Sequence, residues 1–141
     1  MIILLDMPPP KATSQTAGKR VRVVKGKPVF FKSQEAKAIE QEYLLKLKRW
    51  RPQEPLIGPL QLSVTFRFPF LKGDTKKERE NGYIWHDTKP DLDNMSKMLI
   101  DCMAELGFFN NDSQICVSTL KKKRAENVGI YIELDCIEGD L

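Results

Sequence analysis

The sequence predicts a small single domain, residues 1–141, of the α/β (α+β) class: a mixed or antiparallel sheet with two main helices. Three observations point there. A chain of 141 residues is about one domain long and can bury one real core. The stretch from Leu60 to Phe68 alternates without a break. Leu60, Leu62, Val64, Phe66 and Phe68 fall on one side and Gln61, Ser63, Thr65 and Arg67 on the other, the period-2 pattern of a half-buried strand. Two further stretches, Ser33 to about Trp50 and about Asp93 to Leu106, repeat their apolar residues at helical spacing instead.

The elements follow in chain order. Ile2 to Leu5 reads as a short strand stopped by Pro8-Pro9-Pro10, and Lys11 to Lys19 as a polar loop. Arg20–Val24 and Pro28–Phe31 flank Lys25-Gly26-Lys27, a hairpin pattern. Ser33 is placed to cap the first helix, whose stripe is Ile39, Tyr43, Leu44, Leu47 and Trp50; Pro52 and Pro55 end it. After the Leu60–Phe68 strand, Lys72 to Gly82 reads as a charged loop. The second helix buries Met95, Met98, Leu99, Cys102, Met103 and Leu106, with Gly107 placed for a left-handed C-terminal residue. Phe108 to Ser113 reads as a turn. Gln114–Leu120 and Val128–Leu134 are expected to form a closing hairpin around the basic run Lys121-Lys122-Lys123-Arg124.

Composition narrows the functional classes. With 41% hydrophobic and 30% charged residues the chain is neither disordered nor a membrane protein, and no apolar run approaches the ~20 residues that span a bilayer. The opening Met1–Leu5 run lacks a basic lead and stops at Asp6, which argues against a signal peptide. Cys102, Cys116 and Cys136 are odd in number and have no CxxC spacing, so the expectation is reduced thiols and a cytoplasmic, DNA-associated protein.

The net charge of +4 conceals a division. From His86 to Asp112 six acids face two bases, a balance of −4, which leaves +8 on the rest of the chain. Lys11, Lys19, Arg20, Arg22, Lys25, Lys27 and Lys32 occur with no acid between them. An acidic cluster in a basic chain suits a metal-dependent nuclease, in which bases bind phosphates and acids bind the cation. Solvated surface charge produces the same counts. The candidate DNA-binding residues are Lys19, Arg20, Arg22, Lys25 and Lys27, with Lys121, Lys122, Lys123 and Arg124 as a hairpin tip.

The informative segment is Lys89-Pro90-Asp91-Leu92-Asp93-Asn94-Met95-Ser96-Lys97, followed by Asp112-Ser113-Gln114-Ile115. Asp91 and Asp93, two apart in extended chain before a helix, would point the same way. Lys97 lies one turn beyond Asp93, and Asp101 and Glu105 continue that face. Asp112 can fold back to the same mouth. Mg²⁺ takes hard oxygen ligands and is commonly held by a few carboxylates plus substrate phosphate, which Asp91, Asp93 and Asp112 would supply. An ordinary structural account also exists: Asp93 as a helix cap, Asp91 on the helix dipole, and Asp93–Lys97 as an ion pair. His86 is a base, a phosphate contact or a structural residue. Phe108-Phe109 is a wedge for DNA or an anchor for the turn, and with Phe30-Phe31 a candidate dimer interface.

This segment resembles the core of the RusA family of Holliday-junction resolvases. The family pattern is a KPDxDN-x-x-K stretch, an aspartate in the following helix, and a D-D-x-Q-[IV] turn. Asp112 follows Asp93 at the matching interval of nineteen residues, and the likeness covers about Lys89 to Ile115. It implies a small α/β homodimer that nicks four-way DNA junctions symmetrically with Mg²⁺, Mn²⁺ being a possible substitute, with no organic cofactor and no membrane. Asp91, Asp93 and Asp112 fall on the family's metal-site aspartates and Lys97 on its essential lysine, and these four are the expected catalytic residues. The chain departs at Asn111, where the family often has the first aspartate of the pair. Two other functions fit the residues: a non-catalytic junction-binding protein of the same fold, and a metal-dependent nucleotide hydrolase. The second lacks a Gly-rich phosphate loop.

Overall fold

The computed structural model describes residues 1–11 and 19–140, with the backbone alone for 19–22 and 29–32. The strands are β1 (Ile2–Leu5), β2 (Lys19–Val24), β3 (Lys27–Lys32), β4 (Leu60–Phe68), β5 (Tyr83–Trp85), β6 (Ile115–Ala125) and β7 (Gly129–Cys136). The helices are α1 (Gln34–Lys48), α2 (Lys76–Glu80) and α3 (Leu92–Glu105). A mixed five-stranded sheet runs in the order β1-β7-β4-β6-β5, and β2 and β3 form a separate antiparallel ribbon. The expected α+β class holds. Among the described residues no helix is long and apolar enough to cross a membrane.

Alternation in β4 sets the core. Leu60, Leu62, Val64, Phe66 and Phe68 are buried, and they meet Tyr43 and Leu47 of α1 and Met95, Leu99, Cys102 and Met103 of α3 in one cluster. Ile130, Ile132 and Leu134 of β7 and Ile3 and Leu5 of β1 extend the same layer. Ser33 caps α1 by accepting a hydrogen bond from the Ala36 amide at 3.2 Å. Gly107, at φ 83°, closes α3, where the Phe108 amide reaches the Met103 carbonyl and the Gly107 amide the Ala104 carbonyl, both at 3.0 Å. Phe108 and Phe109 are fully buried behind that cap, so they anchor the turn and form no exposed wedge or interface. The side chains of Phe30 and Phe31 lie outside the described residues, as do residues 12–18 of the expected Lys11–Lys19 loop.

Two expectations fail. First, β6 and β7 do not form a hairpin. β4 lies between them, parallel to β6 and antiparallel to β7. The link Glu126–Val128 has to step across one intervening strand, roughly 10 Å, which three extended residues span. The most completely alternating strand takes the centre, where both its edges are paired. The basic run therefore lies inside β6, not at a tip. Second, the Lys72–Gly82 stretch is not wholly loop. Thr75 and Glu78 form a reciprocal capping box that starts α2. Tyr83–Trp85 then adds β5 against Trp85↔Lys123, Ile84↔Arg124 and Tyr83↔Ala125.

Candidate active site

α3 begins one residue earlier than the extended-chain reading of Asp91 and Asp93 requires. Asp91 is the N-cap at φ −68° and ψ 138°, and Asp93 already sits in the first turn. The two aspartates straddle a loop-to-helix boundary and are not forced to point the same way. The Asp91 side chain makes no capping bond. Asp93, Lys97 and Asp101 recur every four residues along one helix face.

Asp112 is delivered by a turn that is tightly specified. Asn111 Oδ1 accepts from the Ser113 amide at 2.9 Å, capping the 3₁₀ turn Asp112–Gln114. Gln114 Oε1 accepts from the Asn110 and Asn111 amides at 2.9 and 3.0 Å. Gln114 Nε2 donates to the Leu56 and Gly58 carbonyls, both at 3.0 Å. The Asn111 oxygen is thus committed to the turn.

These elements converge on a cleft of about 320 Å³ between α3 and β6. Asp93, Lys97 and Asp101 line it from the helix, Asp112 from the turn, and Ser118 and Leu120 from the strand. Asp91 is exposed at the helix start and is not part of that lining. Asp101 is the residue the sequence expectation left out of the site, although its spacing of four from Lys97 carries the signal. Among the described residues, the side chains of Asp91, Asp93, Lys97, Asp101 and Asp112 form no hydrogen bond or ion pair, so the Asp93–Lys97 pair is not made. A free cation and three free carboxylates therefore open onto one cleft.

Also among the described residues, no three His, Cys, Asp or Glu side chains cluster closely enough to cage an ion. The donor chemistry nevertheless fits a hard divalent cation that shares its shell with water and substrate phosphate, since Mg²⁺ needs only one or two protein carboxylates in such sites.

The chain leading into Asp91 is held by two bases of the β6 run. Lys122 Nζ donates to the Thr88 and Pro90 carbonyls at 2.7 and 2.8 Å. Arg124 is buried and bonds both Asp74 oxygens at 2.9 and 3.0 Å. That guanidinium holds the Asp74 carboxyl below the ordinary range. Arg124 also donates to His86 Nδ1 at 3.1 Å, while His86 Nε2 faces the Lys89 carbonyl at 3.3 Å. These partners assign the neutral tautomer: Nδ1 accepts and Nε2–H donates. Burial lowers the His86 pKa further. His86 is thus a scaffold residue, stacked on Phe68 with centroids 4.3 Å apart.

The endodeoxyribonuclease RusA family model matches residues 9–135 of this chain, which contain the cleft, its turn and the braced loop. The chain belongs to the RusA family. It is 34% identical over 120 residues to the crossover junction endodeoxyribonuclease rusA of Lactococcus phage r1t, which covers 82% of this chain and 84% of that protein. This RusA-family chain is therefore an endodeoxyribonuclease, and nucleases of the family are generally divalent-metal dependent.

The remaining candidate contacts separate clearly. Lys25, Lys27 and Lys121 are exposed. The side chains of Lys19, Arg20 and Arg22 lie outside the described residues. Lys123 lies over the rings of Tyr83 and Trp85 at 4.2 and 4.9 Å. Lys122 and Arg124 are engaged as above, and Arg124 is too buried to meet a phosphate.

Proposed function

We propose that this enzyme resolves four-way DNA junctions, using Mg²⁺ (or Mn²⁺) and making paired symmetric nicks as a homodimer. The observation that carries the reading is the cleft: three carboxylates and a lysine, unpaired among the described residues, face it from the helix and the turn, in a chain of an endodeoxyribonuclease family. Asp93 and Asp112, with Asp101 beside them and Asp91 at the helix start, would hold the cation against the scissile phosphate. The bound cation supplies an activated water and neutralises charge on the phosphate. Lys97 has no partner to leave among the described residues, so it is free to take a non-bridging oxygen and stabilise the charge that grows on it. Asn111 and Gln114 keep Asp112 at the mouth, and Lys122 and His86 keep the chain before Asp91 in place. Two identical sites related by a two-fold axis match the two-fold symmetry of a four-way junction.

The test is nicking of a mobile four-way junction against a linear duplex of the same sequence, with Mg²⁺ titrated from zero. Junction-selective, metal-dependent cutting at symmetry-related phosphates supports the reading. Equal cutting of the duplex sinks the substrate assignment. Sedimentation near twice 16.2 kDa tests the dimer, and a mixed dimer with one Asp93→Asn subunit should nick one strand and stop.

A further inference from the structure

A second concavity, of about 400 Å³, lies between the chain after β4 and the 86–89 loop. Phe70, half-buried, supplies an accessible ring beside the buried Phe68–His86 stack, and Lys11, Lys72 and Lys89 supply positive charge. Among the described residues no carboxylate lines it. The nearby Asp74 is neutralised by Arg124. Its size falls in the ~300–1,000 Å³ range of small-molecule sites. Lys89 is two residues from Asp91, so the loop bordering this pocket leads directly into the helix that lines the catalytic cleft.

Both walls are braced by the same buried side chain. Arg124 holds Asp74, whose carboxylate takes the Leu71 amide at 2.7 Å and so shapes the Phe70–Lys72 turn. Arg79 adds bonds to the Leu71 and Asp74 carbonyls at 2.8 and 3.1 Å and lies over the Phe70 ring at 5.1 Å. On the other side Arg124 fixes His86, which holds the Lys89 carbonyl. A pocket shaped in advance this way orders little when it is filled.

We propose that this pocket takes one unstacked nucleotide of the DNA strand beside the scissile phosphate. The proposal rests on the DNA-cleaving reading and deepens it. A nucleotide is a planar ring joined to an anion, which matches the Phe70 ring rimmed by lysines. Phosphates of an intact duplex would use the lysines and leave the aromatic wall without a purpose. Removing a base from the stack costs least where stacking is already interrupted, as at a branch point. Both His86 nitrogens are occupied, so the pocket holds its base mainly by stacking. It therefore biases cutting by the stacking strength of the base and not by reading its edge.

The experiment uses the full chain and four-way junctions carrying 2-aminopurine at successive positions around the crossover, with Ca²⁺ replacing Mg²⁺ to prevent cutting. Binding is followed separately by anisotropy. The expected result is a rise in 2-aminopurine fluorescence at one position next to the cut. Phe70→Ala and Lys72→Ala should each diminish that rise, and Phe70→Tyr should restore it. In Mg²⁺, Phe70→Ala should also flatten the distribution of cut sites by about tenfold, in line with one base–aromatic contact. Lys72 is exposed and takes no part in the brace, so its effect does not depend on folding. Junction binding with no rise at any position, or an equal rise in Phe70→Ala, overturns the pocket and leaves the proposed function standing. Failure of the wild-type chain to bind the junction overturns both.

Discussion

Gln114→Ala removes four hydrogen bonds at once, two accepted from the Asn110 and Asn111 amides and two donated to the Leu56 and Gly58 carbonyls. The bond to Leu56 is partly buried and the other three are exposed, so water replaces those three cheaply. At about 1 kcal/mol for the first and about 0.5 for each of the others, the loss is roughly 2.5 kcal/mol. Urea unfolding should show it as a midpoint lowered by about 1–2 M, with the slope unchanged. Asp112 sits two residues before Gln114 in the same turn. A shift of ~1 Å at a reacting group costs about 10²-fold, so cleavage should fall by that order while junction affinity holds. Gln114→Glu sharpens the test. It keeps the oxygen facing the two amides but turns a second oxygen toward two carbonyls. Those carbonyls raise the carboxyl's pKa in the folded state, so the folded chain binds the extra proton. The loss should therefore shrink as pH falls. A Gln114→Ala protein within about 0.5 kcal/mol of wild type and equally active would mean that the backbone alone holds the turn.

Asp91→Asn, Asp93→Asn and Asp112→Asn should abolish nicking and keep junction affinity, since each removes negative charge near a polyanion; gel shift and nicking on the same preparation check this. Lys97→Ala should lose about 10²–10³-fold in cleavage with little change in binding, the usual scale for one donor at a developing oxyanion. His86 is held neutral by burial and by Arg124, so its folded pKa lies below its unfolded value of ~6.5. The stability it contributes is complete above that value and declines as pH falls through it, because the unfolded chain takes the proton first. Thermal melts of wild type and His86→Phe between pH 7.5 and 5.5 should converge on acidification; parallel curves would refute the assignment. Tyr43 is fully buried and its hydroxyl has no partner among the described residues, so Tyr43→Phe should be neutral or stabilising, by up to about 1 kcal/mol, in the same melts.

What was legible in the sequence was local. Alternation in β4 and the stripes of α1 and α3 are written every two or every three to four residues, and the structure follows them. Thr75-Lys-Lys-Glu78 is also a local signal, a capping box masked by surrounding charge that reads as loop. Asp101 likewise stands one turn from Lys97. Strand order was not legible. The pairing of β4 with both β6 and β7 joins residues far apart in the chain, whereas adjacent alternating strands look like a hairpin whether or not a third strand enters between them. The Arg124–Asp74 pair spans fifty residues, and nothing in either neighbourhood names the other.

The basic run shows how a charge count misleads once a strand period is imposed on it. In β6 successive side chains take opposite faces. Lys122 and Arg124 pair in register with Phe66 and Phe68 and so turn to the helix-covered face, where one holds the loop before Asp91 and the other holds Asp74 and His86. Lys121 and Lys123 turn to the open face, with Lys123 over Tyr83 and Trp85. At a hairpin tip all four would have met solvent and phosphate alike. The two arrangements predict different salt behaviour. Lys121→Ala should flatten the log–log salt dependence of DNA affinity by ~0.9 if that lysine contacts a duplex phosphate, and leave stability unchanged. Lys122→Ala should leave that slope as it is and instead lower cleavage, because the Thr88 and Pro90 carbonyls lose their shared donor. If Lys122→Ala flattens the slope as much as Lys121→Ala and cleavage falls only in step with affinity, Lys122 serves the DNA and not the loop.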